Sequence, residues 1–116
     1  MAVKRIVTNI ATAAPASLAQ FYRELLDLET AMDMGWIVTC AADEKAAIQI
    51  SFASEGGSGT PVPDMSIEVD NIDEVYRRAQ QAGHEISYPL TSEPWGVQRF
   101  YVKDPAGKTL NILTHQ

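Results

Sequence analysis

The chain has 116 residues, of which 46% are hydrophobic and 21% charged, the make-up of one globular domain or of two small modules sharing a core. Nine basic against fifteen acidic side chains give a net charge of −6, which repels phosphate backbones and excludes nucleic acid as a natural partner. The single cysteine, Cys40, has no mate for an internal disulfide, which suits a reducing cytoplasm and a thiol that packs without reacting. MAVKRIV lacks an apolar leader core and no apolar run reaches membrane-spanning length, so the chain reads as soluble, cytoplasmic and without a membrane partner.

Residues 3–11 alternate, with Ile6, Thr8 and Ile10 against Val7, Asn9 and Ala11, and predict a strand. Ala14-Pro15-Ala16-Ser17 is a helix start with proline in its first turn. Leu18, Phe21, Tyr22, Leu25 and Leu28 then recur at helical spacing, predicting an amphipathic helix from Pro15 to about Leu26. Short strands follow at 29–32, 35–42 and 46–53, with a turn at Met34-Gly35. On the last of these, Ile48, Ile50 and Phe52 oppose Gln49 and Ser51.

Residues 54–63, SEGGSGTPVP, hold three glycines and two prolines and read as a linker. After it the pattern restarts. Met65, Ile67 and Val69 alternate with Ser66 and Glu68, and Asn71 stands three residues before Glu74 as a helix cap. Ile72, Val75, Tyr76 and Ala79 form a helical stripe, Gly83 fits the position after a helix end, and 85–88 is a short strand. Residues 92–113 predict a polar lip, a strand, a turn and a final strand. Asp104-Pro105-Ala106-Gly107 has the residues of a type I turn. Before it, Arg99, Tyr101 and Lys103 oppose Phe100 and Val102; after it, Thr109, Asn111 and Leu113 oppose Leu110 and Ile112.

Both halves run strand, helix, three strands, and their helices sit 54 residues apart at Phe21 and Val75. The expected fold is α+β: two tandem βαβββ modules, 1–54 and 64–116, joined by a Gly/Pro linker at 55–63 within one domain. The cupped mixed sheets would carry helices on their outer face. Neither half alone can bury a competent core, so the halves must pack on each other or on a second chain.

This arrangement resembles the vicinal oxygen chelate superfamily of glyoxalases, bleomycin-resistance proteins and extradiol dioxygenases. The resemblance rests on Phe21-Tyr22 followed by Leu25-Leu26 and on the closing EPWGVQRFYVKDPAGKTLNI, and that segment is most similar to bleomycin-resistance proteins. It implies a homodimer, formed in some relatives by exchanging modules. It also implies a divalent metal whose ligand places fall on Val7, Gln49, Asp64 and Asn111. Val7 has no lone pair, Gln49 and Asn111 are neutral, and neither His84, read as an exposed turn residue, nor His115 lies where the family puts a ligand. No metal and no cofactor are therefore expected; a non-standard site would have to use Glu68 with Asn9 or Gln49.

Strand parity assigns Asn9, Gln49, Ser51, Ser66, Glu68, Arg99, Tyr101 and Asn111 to a concave face suited to a polar organic ligand. Glu68 and Arg99 either bind there or pair with each other and select nothing. Trp95, just after a turn, either stacks on a flat ligand, caps the core or packs across a dimer; Trp36 is assigned to core or interface. No Ser-His-Asp or Cys-His set is available, and the glycines at 56–59 lack the lysine of a phosphate loop. The reading is a metal-free small-molecule binding protein of the antibiotic-resistance type. The alternative is a diverged metal-dependent lyase or dioxygenase.

Overall fold

The computed structural model describes residues 7–44 and 51–116. Helix α1, Pro15–Leu26, starts with proline at its first position and buries Leu18, Ala19, Phe21 and Leu25. It stops at Asp27, a left-handed residue at φ 54 whose carboxylate meets Arg78 at 3.1 Å. Strands β1, Glu29–Asp33, and β2, Val38–Ala41, pair antiparallel about a tight turn where Gly35 takes φ +81. Beyond residue 51 come β3, Met65–Glu68, helix α2, Ile72–Gln81, and strands β4, Ile86–Ser92, β5, Val97–Lys103, and β6, Thr109–His115. These four strands form one mixed sheet in the order β3-β6-β5-β4, with β3 parallel to β6 and the other pairs antiparallel.

One face of that sheet makes the core. Phe100, Val102, Leu110 and Ile112 are fully buried and pack on Ile72, Val75 and Ala79 of α2 and on Phe21 and Leu25 of α1. Each such side chain contributes about 1.5–3 kcal/mol by leaving water. Asn71 accepts the Glu74 N–H at 3.3 Å as the predicted cap, and Gly83 takes φ +74 just past the helix end. Because both helices sit on this face, the opposite face is left for a site.

Two hairpin corners share one design. Residues 93–96, Glu-Pro-Trp-Gly, and 104–107, Asp-Pro-Ala-Gly, each bond the glycine N–H to the acid's carbonyl, at 3.3 and 2.9 Å. Each ends on a positive-φ glycine, Gly96 at 89° and Gly107 at 79°. In both, the acid is buried. Asp104 turns its carboxylate inward to accept the Ala106 and Lys108 N–H groups at 2.9 and 2.8 Å, and also the Tyr22 hydroxyl of α1 at 2.6 Å. Burial, and then this bond to Asp104, push the Tyr22 phenol well above its ordinary range.

Several expectations are corrected. Residues 7–11 and 51–53 are not in strands, while the rest of those two predicted strands lies outside the described residues. Thr8, Asn9 and Thr12 interrupt the apolar alternation, and Thr12 Oγ1 accepts the Ala14 N–H at 3.1 Å, turning the chain towards α1. The short strand expected at 85–88 is instead β4, which continues through Pro89 to Ser92. Pro89 is tolerated because it falls where the β4–β5 register shifts, between Tyr88 and Thr91, on a strand that is at the sheet's edge among the described residues. His84 is not an exposed turn residue: it is half-buried, edge-on to Phe21 at 4.5 Å between ring centroids. Among the described residues no helix is long and apolar enough to cross a membrane.

Candidate functional site

Register builds the open face row by row. Tyr101 pairs with Asn111 and Asn111 with Ser66; Arg99 pairs with Leu113 and Leu113 with Glu68. Cross-strand partners project to the same side, so Ser66, Glu68, Arg99, Tyr101 and Asn111 share one face, the one turned away from the helices. Tyr88 and Thr91 of β4 join it opposite Tyr101 and Arg99.

Arg99 lies at the centre and is 4% exposed. Its Nε donates to Glu93 Oε2 at 2.9 Å, and its Nη2 forms an ion pair with the same oxygen at 2.7 Å. Nη1 donates to the Gly56 carbonyl at 2.6 Å and to the Tyr101 hydroxyl at 3.0 Å, while Nη2 also reaches the Gly57 carbonyl at 3.2 Å. Each guanidinium nitrogen therefore donates at least one hydrogen bond. The rings of Tyr88, Trp95 and Tyr101 surround it at 5.2, 5.0 and 5.0 Å, a three-sided aromatic box around a cation.

The linker supplies the cover. Gly56 N–H donates to the Thr60 carbonyl at 2.8 Å, curling residues 56–60 into a strap across Arg99. Ser58 Oγ donates to both Glu93 oxygens at 3.2 and 3.1 Å, and Thr60 Oγ1 shares a 2.8 Å bond with the Tyr101 hydroxyl. A Cβ on Gly56 would lie 2.6 Å from that hydroxyl, and one on Gly57 2.7 Å from the Trp95 ring. Glycine is needed here for close approach.

The remaining expected residues are spread more widely. Trp95 is half exposed on the strap side of the box. Of the two alternatives for Glu68 and Arg99, the mutual pair does not form: Glu93 takes Arg99, and Glu68 pairs at 2.7 Å with His115 at the end of β6. Arg99 sits one strand closer to the β4 corner than to β3, which decides the choice. Asn9 lies apart, in a cavity of about 370 Å³ bounded by Asp64, Met65, Lys108 and Leu110. Ser51 is exposed in irregular chain, and Gln49 lies outside the described residues. Asn111 is 8% exposed; its Nδ2 donates to Ser66 Oγ at 3.1 Å, while its Oδ1 meets no donor among the described residues.

Sequence reasoning missed Glu93, Tyr88, Ser58 and Thr60. The available signal was the arginine itself: a strand guanidinium buried on a covered face requires an acid, and Glu93 stands six residues away across one hairpin corner. Of the four places that the resemblance gives to a metal, Gln49 lies outside the described residues. Val7 offers no donor, Asp64 Oδ2 already accepts the Thr109 N–H at 2.7 Å, and Asn111 is neutral. No group of three or more His, Cys, Asp or Glu side chains suited to a metal comes together among the described residues.

The family model described as "Glyoxalase/Bleomycin resistance protein/Dioxygenase superfamily" matches residues 4–112. No curated protein gives a significant match. Among solved structures, the chain is similar to TioX from Micromonospora sp. ML1, at 18% identity and TM-score 0.65 over 96% of this chain and 95% of that one. It is similar to TnmS3, described as an antibiotic binding protein from Streptomyces sp. CB03234, at 16% and 0.66 over 100% and 97%. Lactoylglutathione lyase from Agrobacterium tumefaciens matches at 17% and 0.64 over 97% and 92%. At these identities the likeness shows a shared fold.

Proposed function

The chain belongs to the Glyoxalase/Bleomycin resistance protein/Dioxygenase superfamily, and from that premise we propose that it is a metal-independent small-molecule binding protein. Its ligand lies on the Arg99–Asn111 face. The observation that carries this reading is Asn111 Oδ1, a buried acceptor without a donor among the described residues. A buried unpaired polar atom costs about 1–3 kcal/mol, which a ligand N–H or O–H would recover. The donor set at the family's metal places supports the metal-free half of the reading, and the description of TnmS3 as an antibiotic binding protein supports the ligand class. A cytoplasmic homodimer completes the proposal, in keeping with a lone cysteine.

The test is elemental analysis of protein purified without chelator, beside a thermal-shift screen against aromatic and peptide-like antibiotics. Metal-free protein that melts higher with one ligand class is the expected result; ligand at a hundred times its Kd adds about 2.7 kcal/mol. Stoichiometric zinc, nickel or iron without any ligand shift overturns it and favours the lyase or dioxygenase reading.

A further inference from the structure

The strap at 56–60 is more than a connector. It places two backbone carbonyls on the Arg99 fork, a hydroxyl on Glu93 and another on Tyr101, and so holds the polar centre of the open face. A Cβ at Gly57 would strike the Trp95 ring, and one at Gly56 would strike the Pro61 carbonyl and Thr60 Oγ1 as well as the Tyr101 hydroxyl, whereas one at Gly59 would meet nothing. A linker needed only for reach has no requirement for glycine at contact points. Ser58, a non-glycine at φ 51, takes the left-handed backbone that side chains disfavour, so the closed strap carries local strain.

We propose that residues 56–60 are a built-in occupant of the ligand subsite, which a carbonyl- or carboxylate-bearing ligand of neutral or negative charge displaces. This rests on the proposed binding function. Ligand oxygens take the places of the Gly56 and Gly57 carbonyls on Arg99, and an adjacent N–H or O–H reaches Asn111 Oδ1 on the next strand but one row. A peptide-like amide carries both groups, and the strap is itself such a peptide. Positive ligands are excluded locally even though the whole chain is acidic, because Arg99 already fills the aromatic box with its own cation.

A tethered occupant competes at millimolar effective concentration, so opening the strap must raise affinity in trans. The experiment uses Gly56→Val, whose side chain collides with the Pro61 carbonyl, Thr60 and Tyr101 and so prevents the strap from curling shut, and the milder double variant Ser58→Ala with Thr60→Ala, which removes both side-chain tethers. The blocked peptide acetyl-Gly-Gly-Ser-amide, and choline as the cationic probe, are titrated while the Trp95 indole and Arg99 Nε–H resonances are followed. At least about a tenfold gain for the peptide over the wild type in either variant, with none for choline, is expected. No peptide gain in folded variants overturns the proposal, and a choline gain overturns its charge class. Unfolding of both variants would make the strap a structural wall and overturn it too. A peptide gain without any hit in the thermal-shift screen keeps the strap and sinks the small-molecule reading; a hit without a peptide gain does the reverse.

Discussion

Arg99 and Glu93 are both buried and joined by two short contacts, so removing either strands the other's charge. Arg99→Ala should cost about 3–5 kcal/mol, and the double variant with Glu93→Ala should cost less than the sum of the two singles. Urea unfolding of the four proteins checks this, and additive losses would show the pair to be uncoupled. Strand parity makes it legible in sequence that Arg99, Tyr101 and Asn111 share a face, because the side-chain period is two wherever a strand forms. What they touch is not legible. Glu93 comes from a corner and Gly56 from a linker, and neither carries a period that tells where it docks. Tyr22 adds a pH prediction. Its phenol titrates higher folded than unfolded, so the folded state keeps this proton above pH 10 while the unfolded state loses it, and stability must fall as pH rises past 10. Tyr22→Phe should flatten this alkaline decline relative to wild type. Parallel melting curves from pH 9 to 11 measure the difference.

At the level of elements, the two acid-Pro-x-Gly corners hold the sheet's register. Gly107 has φ +79, and a Cβ there meets nothing within 4 Å, so a substitution is penalised by backbone strain alone. Gly107→Val should lose about 1–2 kcal/mol and Gly107→Asn clearly less, as read by thermal melting. Equal losses would point to packing as the cause. Helix α1 is legible from its apolar spacing and proline start, while the left-handed Asp27 that ends it, ahead of Leu28 in the apolar stripe, carries no such signal. The length of strand β4 is not legible, because proline normally stops a strand and the register shift that accommodates Pro89 leaves no mark in the sequence. Tyr22 and Asp104, from the two segments that carry the family likeness, prove to be hydrogen-bond partners. The two motifs are thus halves of one joint between α1 and the closing hairpin.

For the whole molecule, a homodimer is the expected assembly, and a standard interface would cover about 800 Å² of each partner. Met32, Met34 and Trp36 stand exposed along the β1–β2 hairpin and suit that contact. Sedimentation at micromolar concentration should give the dimer mass, and Trp36→Asp should shift it towards monomer. A wild-type monomer would remove the claim. The central place of β6 has a consequence during synthesis. Among the described residues β3 pairs with β6 alone, and β6 follows it in the chain after a helix and two strands. On the ribosome, β3 and the facing backbone edge of β5 must therefore wait without their shared neighbour until residues 109–115 have emerged. The β4–β5 hairpin can form first, but the sheet is completed only with β6, and the nascent chain is most open to chaperones and to aggregation in the interval before that strand arrives.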